Sequence, residues 1–322
     1  MSTIPVLIDV AVGATASETV APELVPVDDA VRIAAAAKRA GVVALRILDA
    51  VGDRRALDPS VAAAYLAGRV GDIGYLLDVT TTHNAPYNLA RRILSFDRAN
   101  GGRAGVVLHP GEGDEVSDAV TSRSAAPSPR QRWEEYAEIL TRLWESFPRA
   151  ALIGDQERAL VADPALIGGI DHDGRGYRIA GPLDGPASVQ GRPLVVAADP
   201  DLLGWDTAAR SADAVIVADA AAADADRALT AALERVGRRR TEVALIGRAA
   251  VTVTDERDGR AAVARLADWA HAYELDAVEL APTGGTRGVL AAAEAVATLP
   301  AAPPGPTLRA ALGLRPVAAV LR

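Results

Sequence analysis

The sequence predicts an α/β fold, a closed (β/α)₈ TIM barrel, from three observations. Eight short apolar runs have the length and composition of strands buried on both faces. Amphipathic stretches with helical spacing lie between them and after the last. The alternation continues from end to end, and eight strands with eight following helices fit a closed barrel better than an open doubly wound sheet.

The apolar runs are PVLIDVAV (5–12), VVALRILDA (42–50), IGYLLDVTT (73–81), RAGVVLHP (103–110), PLVVAAD (193–199), DAVIVAD (213–219), EVALIGRAAVTVT (242–254) and DAVELAP (276–282). The first helical stretch, DDAVRIAAAAKRAG, is expected to be capped by Asp28 and Asp29 and to end at Gly41. DPSVAAAYLAGRVGD and APYNLARRILSFDRANGG follow. The strongest helical signal is SPRQRWEEYAEILTRLWESF, where Ser128 precedes Pro129 in the first turn. DLLGWDTAARSA, DADRALTAALERVGRRR, DGRAAVARLADWAHAYE and GVLAAAEAVATL complete the set. Two segments break the rhythm. Residues 148–192, rich in Gly, Pro and Asp, read as a hairpin and loop inserted before the fifth strand, and a proline linker opens the tail at 300–322. The whole chain, 1–322, is read as one domain.

Composition narrows the function. Half of the residues are hydrophobic, enough for a large core, and a net charge of −8 argues against nucleic-acid binding and anionic membrane surfaces. The absence of cysteine excludes disulfides, thiolate catalysis and cysteine-ligated metals. Asp9 interrupts the N-terminal apolar run, which has no basic flank, and no run approaches the length of a membrane span; a cytoplasmic location is expected.

Active sites of such barrels lie at the C-terminal ends of the strands. The strand assignments place Asp9, Asp49, Thr81, Thr82, His83, His109, Asp199 and Asp201 there. Asp49 reads either as a helix cap or as a mouth residue. Thr81 and Thr82 read either as β-branched strand residues or as site hydroxyls, and His83 and His109 as catalytic or loop residues. Asp9, Asp49, His109 and Asp199 would also supply oxygen and nitrogen ligands to a metal. Phosphate-cradling, zinc-protease and nucleophile-elbow motifs are absent.

TTTHNAPYNLARRILSFDRANGGRAG (80–105) resembles the segment after the third strand of luciferase-like flavin monooxygenases. It is most similar to the branch acting on nitrilotriacetate, EDTA and dibenzothiophene sulfone. Thr81-Thr82, Pro86-Tyr87, Leu89-Ala90-Arg91, Asp97 and Gly101-Gly102-Arg103 fall in register. IDHDGRGYRIAGPLDGPASVQGRPLVV (170–196) and TLRAALGLRP (307–316) resemble two further signatures of that branch, in the same order. The resemblance implies reduced FMN as co-substrate, supplied by a separate flavin reductase. It also implies O₂-dependent oxygenation of a small organic substrate, and a homodimer or a heterodimer with a homologue. By position, Asp49, Thr81 and Thr82 are implied to lie against the flavin.

The departures carry their own expectations. The family's flavin-contacting Asn is replaced by Val107, its Arg-Tyr pair by Pro129-Arg130, and its Gly-x-Ser phosphate turn by Asp199-Pro200-Asp201. The branch's long insertion near the seventh strand is shortened. A phosphate dianion seeks amide, hydroxyl and cationic donors. A like-charge pair at 4 Å costs about 4 kcal/mol at an effective dielectric of 20, so Asp199 and Asp201, with Glu112, Asp114 and Glu115, are expected to weaken FMN binding. A non-catalytic paralogue serving as a partner subunit is the alternative expectation.

Overall fold

A computed structural model describes residues 3–14, 23–111, 127–253, 256–300 and 305–317. Eight parallel strands close a barrel: β1 (Val6–Val10), β2 (Ala44–Ile47), β3 (Gly74–Thr80), β4 (Ala104–His109), β5 (Leu194–Ala198), β6 (Ala214–Ala218), β7 (Ala244–Val251) and β8 (Ala277–Pro282). Each strand pairs with its sequence neighbour, and β8 returns to β1. The main helices are α1 (Val27–Arg39), α2 (Pro59–Val70), α3 (Pro86–Ala99), α4 (Pro129–Glu145), α5 (Trp205–Ser211), α6 (Ala222–Arg235), α7 (Glu256–Ala272) and α8 (Gly285–Val296).

Local chemistry sets most of these boundaries. Asp58 caps α2 by accepting from the amides of Ser60 and Val61, and Ser128 with Gln131 forms a full capping box on α4. Asp28 and Asp29 do not cap α1. Its N-cap is Pro26, and the two acids sit inside the first turn, where they favour the helix dipole. The helix expected at DLLGWDTAARSA is cut in two at Gly204, whose φ of 84° suits glycine alone, leaving a single turn at Pro200–Leu203 before α5. Between α4 and β5 the chain forms two small antiparallel ladders, Leu152–Asp155 with Leu160–Ala162 and His172–Asp173 with Arg178–Ile179.

Successive side chains on each strand alternate between the barrel interior and the helix layer. The outer face carries most of the apolar core, with Trp133, Tyr136 and Trp144 of α4 fully buried in it. Inside the barrel, Leu7, Leu76, Val107, Leu194, Val196, Ile216 and Ile246 pack as a plug. Leu308, Leu312 and Leu314 of the tail join it and close the N-terminal end.

The three segments that carry the family resemblance meet at that closed end. Gln190 donates from Nε2 to Asp97 Oδ1 at 2.8 Å, and its Oε1 accepts from the amide of Arg309. Arg309 and Arg192 both bind the buried carboxylate of Asp213. The amide of Leu308 donates to the carbonyl of Gly102, which needs to be glycine: its φ is 76°, and a Cβ would stand 2.5 Å from Val189. Asp97, Gly102, Gln190 and Arg309 within these matches therefore report how the barrel is sealed.

One pH effect follows. Burial pushes the Asp97 carboxyl up from 3.8 to about 6, although bonds from Ser188, Gln190 and the Ala104 amide oppose it. A raised folded-state pKa favours folding below the unfolded value, and that contribution is lost as pH rises through 6. The shift corresponds to about 3 kcal/mol. Asp97→Asn retains the Oδ1 acceptor, so the variant is expected to equal or exceed wild type in urea stability at pH 8. It should also have a flatter stability profile between pH 4 and 7. An Asn variant less stable than wild type at pH 8 would contradict this account.

Candidate active site

The inward positions one step above the apolar plug carry charge. β1 places Asp9 there, β2 Arg46, β3 Asp78, β4 His109, β7 Arg248 and β8 Glu279. Parallel register sets Asp9 beside Arg46 and Arg248 beside Glu279. The six side chains form one network. Arg46 donates from Nε to Asp78 Oδ1 at 2.7 Å and from Nη1 to Glu279 Oε1 at 2.8 Å. Arg248 donates from Nε and Nη2 to Asp9 Oδ2 at 2.9 and 2.7 Å, and its Nε lies 3.0 Å from Glu279 Oε1. Glu279 thereby joins the two arginines.

His109 Nε2 lies 3.3 Å from both Asp78 Oδ2 and Arg46 Nη2. The carboxylate charge favours the tautomer in which Nε2–H donates to Asp78. That leaves Nδ1 as an acceptor, with no partner among the described residues.

Their charged neighbours pull the two buried aspartates apart. At Asp9, burial and the negative charge of Glu279 raise the pKa well above the usual carboxylate range, against the pull of Arg46 and Arg248. At Asp78, burial is outweighed by Arg46 and His109, and the carboxyl is held low. Burial would lower the Arg46 pKa, but Glu279, Asp78 and Asp9 together raise it. The floor thus contains a carboxylate held low under His109 and a second one, bonded to Arg248, that burial pushes up. Such separation is a common mark of acid–base sites.

The residues expected at the mouth divide into groups. Thr81 and Thr82 adjoin His109: the Thr81 amide donates to the His109 carbonyl, and the Thr81 hydroxyl accepts from the amide of Gly111 at 3.1 Å. Both threonines are buried, and a Cβ on Gly111 would collide with Thr82. The Thr81 hydroxyl is thus used internally and does not face an open mouth. Tyr136 and Tyr177 donate to the carbonyls of Asn84 and Thr81 in the segment after β3. His83 is exposed, with a φ of 61°. Val107 is fully buried in the plug, one layer below His109, so it offers a ligand no surface. Asp49 follows β2 and pairs with Arg55 of a small hairpin instead of capping α2.

Asp199 and Asp201 lie beyond β5 and are exposed, with Asp199 in the left-handed region. The Asp201 carboxylate accepts from Trp205 Nε1 at 3.2 Å. Arg130 reaches this turn from the start of α4, donating to Thr207 Oγ1 at 2.8 Å beside Gly204. Glu112, Asp114 and Glu115 lie outside the described residues.

The metal reading is not supported by these placements. Asp9 binds Arg248, Asp49 binds Arg55, His109 binds Asp78, and Asp199 stands apart in solvent. No group of three or more such ligands is placed to hold a metal among the described residues. No helix among them is long and apolar enough to cross a membrane.

Arg46, Asp78, Arg248 and Glu279 were not evident as site residues because they sit inside strands, not at strand ends. Their signal is a single charge inside a mainly apolar run, as in ALRI, GYLLDVT, ALIGRAAV and AVELAP.

Comparison with known proteins agrees with this architecture. Dibenzothiophene-sulfone monooxygenase of Rhodococcus erythropolis is 29% identical over 162 residues, half of this chain and 36% of that protein. Nitrilotriacetate monooxygenase component A of Aminobacter aminovorans is 31% identical over 179 residues, 55% of this chain and 40% of that protein. The matched stretches thus span well under half the length of these curated relatives. The solved structure of EDTA monooxygenase from Chelativorans sp. BNC1 superposes with a TM-score of 0.74 at 18% identity, covering 98% of this chain and all of the other, a likeness of fold. Residues 5–304 match the luciferase-like monooxygenase family as a whole, and the chain belongs to that family.

Proposed function

We propose that the chain is a flavin-dependent monooxygenase that uses reduced FMN from a separate reductase and O₂ to oxidise a small organic substrate at the C-terminal mouth of the barrel. The observation that carries this reading is the charged floor: two guanidinium groups and a histidine held by buried carboxylates where the family places its chemistry. The printed name of the Aminobacter relative, a component A, supports a multicomponent system with a reductase.

The residues fit a flavin in two respects. Cationic floor groups suit the electron-rich pole of a reduced isoalloxazine ring. Arg130, exposed near the turn after β5 and held by the buried hydroxyl of Thr207 in α5, supplies a cation for a phosphate. When bound, the flavin would supply the oxygen-activating chemistry, while the chain orients the substrate and moves protons. His109, held by Asp78, is the proposed base, and His83 is a second histidine on the rim. Asp49, Thr81 and Thr82 shape the mouth around the cofactor, and Val107 supports the floor from beneath.

Asp199 and Asp201 are both exposed, so water and salt screen their repulsion. Reduced FMN is therefore expected to bind at tens of micromolar or tighter in an anaerobic fluorescence titration. Asp199→Gly with Asp201→Ser should tighten that binding by about tenfold or less. No binding of oxidised or reduced FMN at such concentrations would remove the proposal. A hundredfold gain in the double variant would show that the two carboxylates, not the floor, govern affinity. The same loss of flavin binding, together with a flavin-independent complex with an active homologue, would favour a partner subunit instead.

A further inference from the structure

The two most exposed of the six floor side chains are Arg248 at 39% and His109 at 27%, with Asp78 next at 11%. Asp9, Arg46, Asp78 and Glu279 are buried, and each of the three carboxylates is already bonded to a guanidinium. A ligand entering the mouth therefore meets the floor as a cation and a ring nitrogen, not as an acidic surface.

Arg248 is clamped along one edge. Its Nε and Nη2 are engaged by Asp9 and Glu279, whereas Nη1 has no partner among the described residues and is not enclosed. A guanidinium fixed in this way is pre-oriented, so little side-chain freedom is lost when a ligand binds. Charge limits the ligand. Two guanidiniums already face three carboxylates, so the floor does not offset two charges on one anchored group, as in phosphate, whereas one free N–H edge suits one planar carboxylate group. His109 projects from β4, three strands from β7 around the barrel, so the far end of a bound molecule lies toward it.

We infer that Arg248 Nη1 is the anchor of an anion-recognition point at the barrel mouth, and that its ligand is an organic carboxylate. The inference shares the mouth with the function proposed above but does not depend on flavin binding.

The test uses the full chain without flavin. Glutarate, with one carboxylate at each end, is the probe, glutaramide the neutral control and inorganic phosphate, with its charge on a single group, the competitor, each followed by calorimetry and thermal shift. Glutarate is expected to bind and stabilise, and glutaramide is not. Arg248→Lys keeps a cation against Asp9 but lacks the second terminal nitrogen, and should weaken glutarate by about tenfold or more, the scale of a charge-assisted hydrogen bond. Arg248→Met combined with Asp9→Asn removes the cation together with its buried acid. It guards against misfolding and should abolish glutarate binding. Glutarate affinity within twofold of wild type in both variants would overturn the inference. So would phosphate binding more tightly than glutarate, or no carboxylate binding by wild type. A parallel titration with reduced FMN separates the two possible sources of negative charge. If Arg248→Lys weakens reduced FMN but not glutarate, the anchor serves the flavin ring and the carboxylate assignment falls. Failure of wild type to bind FMN, with glutarate binding intact, would count against the flavin reading alone.

Discussion

Arg46→Leu is expected to lower folding stability by about 3–5 kcal/mol, the usual cost of stripping the partner from a buried ion pair. Arg46 is buried and, among the described residues, is the only group that bonds both Asp78 and Glu279. Its loss leaves Asp78 with His109 alone and leaves Glu279, which is completely enclosed, with only Arg248. Desolvated carboxylates without a cation hold their protons to higher pH in the folded state. Their contribution to stability is then present at low pH and is lost as pH rises through the raised folded-state value. The deficit of the variant should therefore be small near pH 4.5 and widen toward pH 8, as read from urea midpoints at both ends. Adding Asp78→Asn and Glu279→Gln to Arg46→Leu should recover part of the loss at pH 8, because no uncompensated charge remains. A deficit below about 1 kcal/mol at all pH values would mean that water solvates this floor and that the network does not hold it.

This network also shows where sequence reasoning stopped. The barrel itself was legible, because each strand is a short apolar run and each helix carries its own periodicity and terminators. Ser128 and Asp58 mark helix starts through bonds made within three residues, and such local chemistry survives in a linear reading. Asp28 and Asp29 did not follow the same rule because Pro26 already opens α1, and Gly204 broke a helix whose flanks looked continuous.

The charged floor is different in kind. Arg46 and Glu279 are 233 residues apart and touch only because β8 closes on β1. Their charges looked like isolated interruptions until the barrel set them at one height. Asp97, Gln190 and Arg309 are the residues through which the resembling segments meet, at the sealed end, far from the chemistry. At the mouth, the threonine pair turned out to support a loop, because its hydroxyl and backbone groups are used by Gly111, His109 and Tyr177.

His109 is where the floor would act on a substrate, and its replacement carries the largest expected effect on rate. General acid–base groups contribute about 10²–10⁴-fold, so His109→Gln should lower turnover by that range with substrate affinity little changed. The substitution removes the basic Nδ1 and keeps a side chain able to donate to Asp78. Because His109 is partly exposed and Asp78 retains its two bonds from Arg46, folding stability should change by no more than about 1 kcal/mol. Rescue separates a base from a packing residue. In His109→Gly, added imidazole can occupy the vacated space with a nitrogen over Asp78, and should restore turnover in proportion to its concentration until saturation. The comparison requires a substrate for which wild-type, reduced-flavin-dependent turnover has been established. A glycine variant that imidazole does not rescue, or a glutamine variant within threefold of wild type, would remove His109 from the chemistry. The floor would then stand as an electrostatic platform alone, with Arg248 as its contact to ligand.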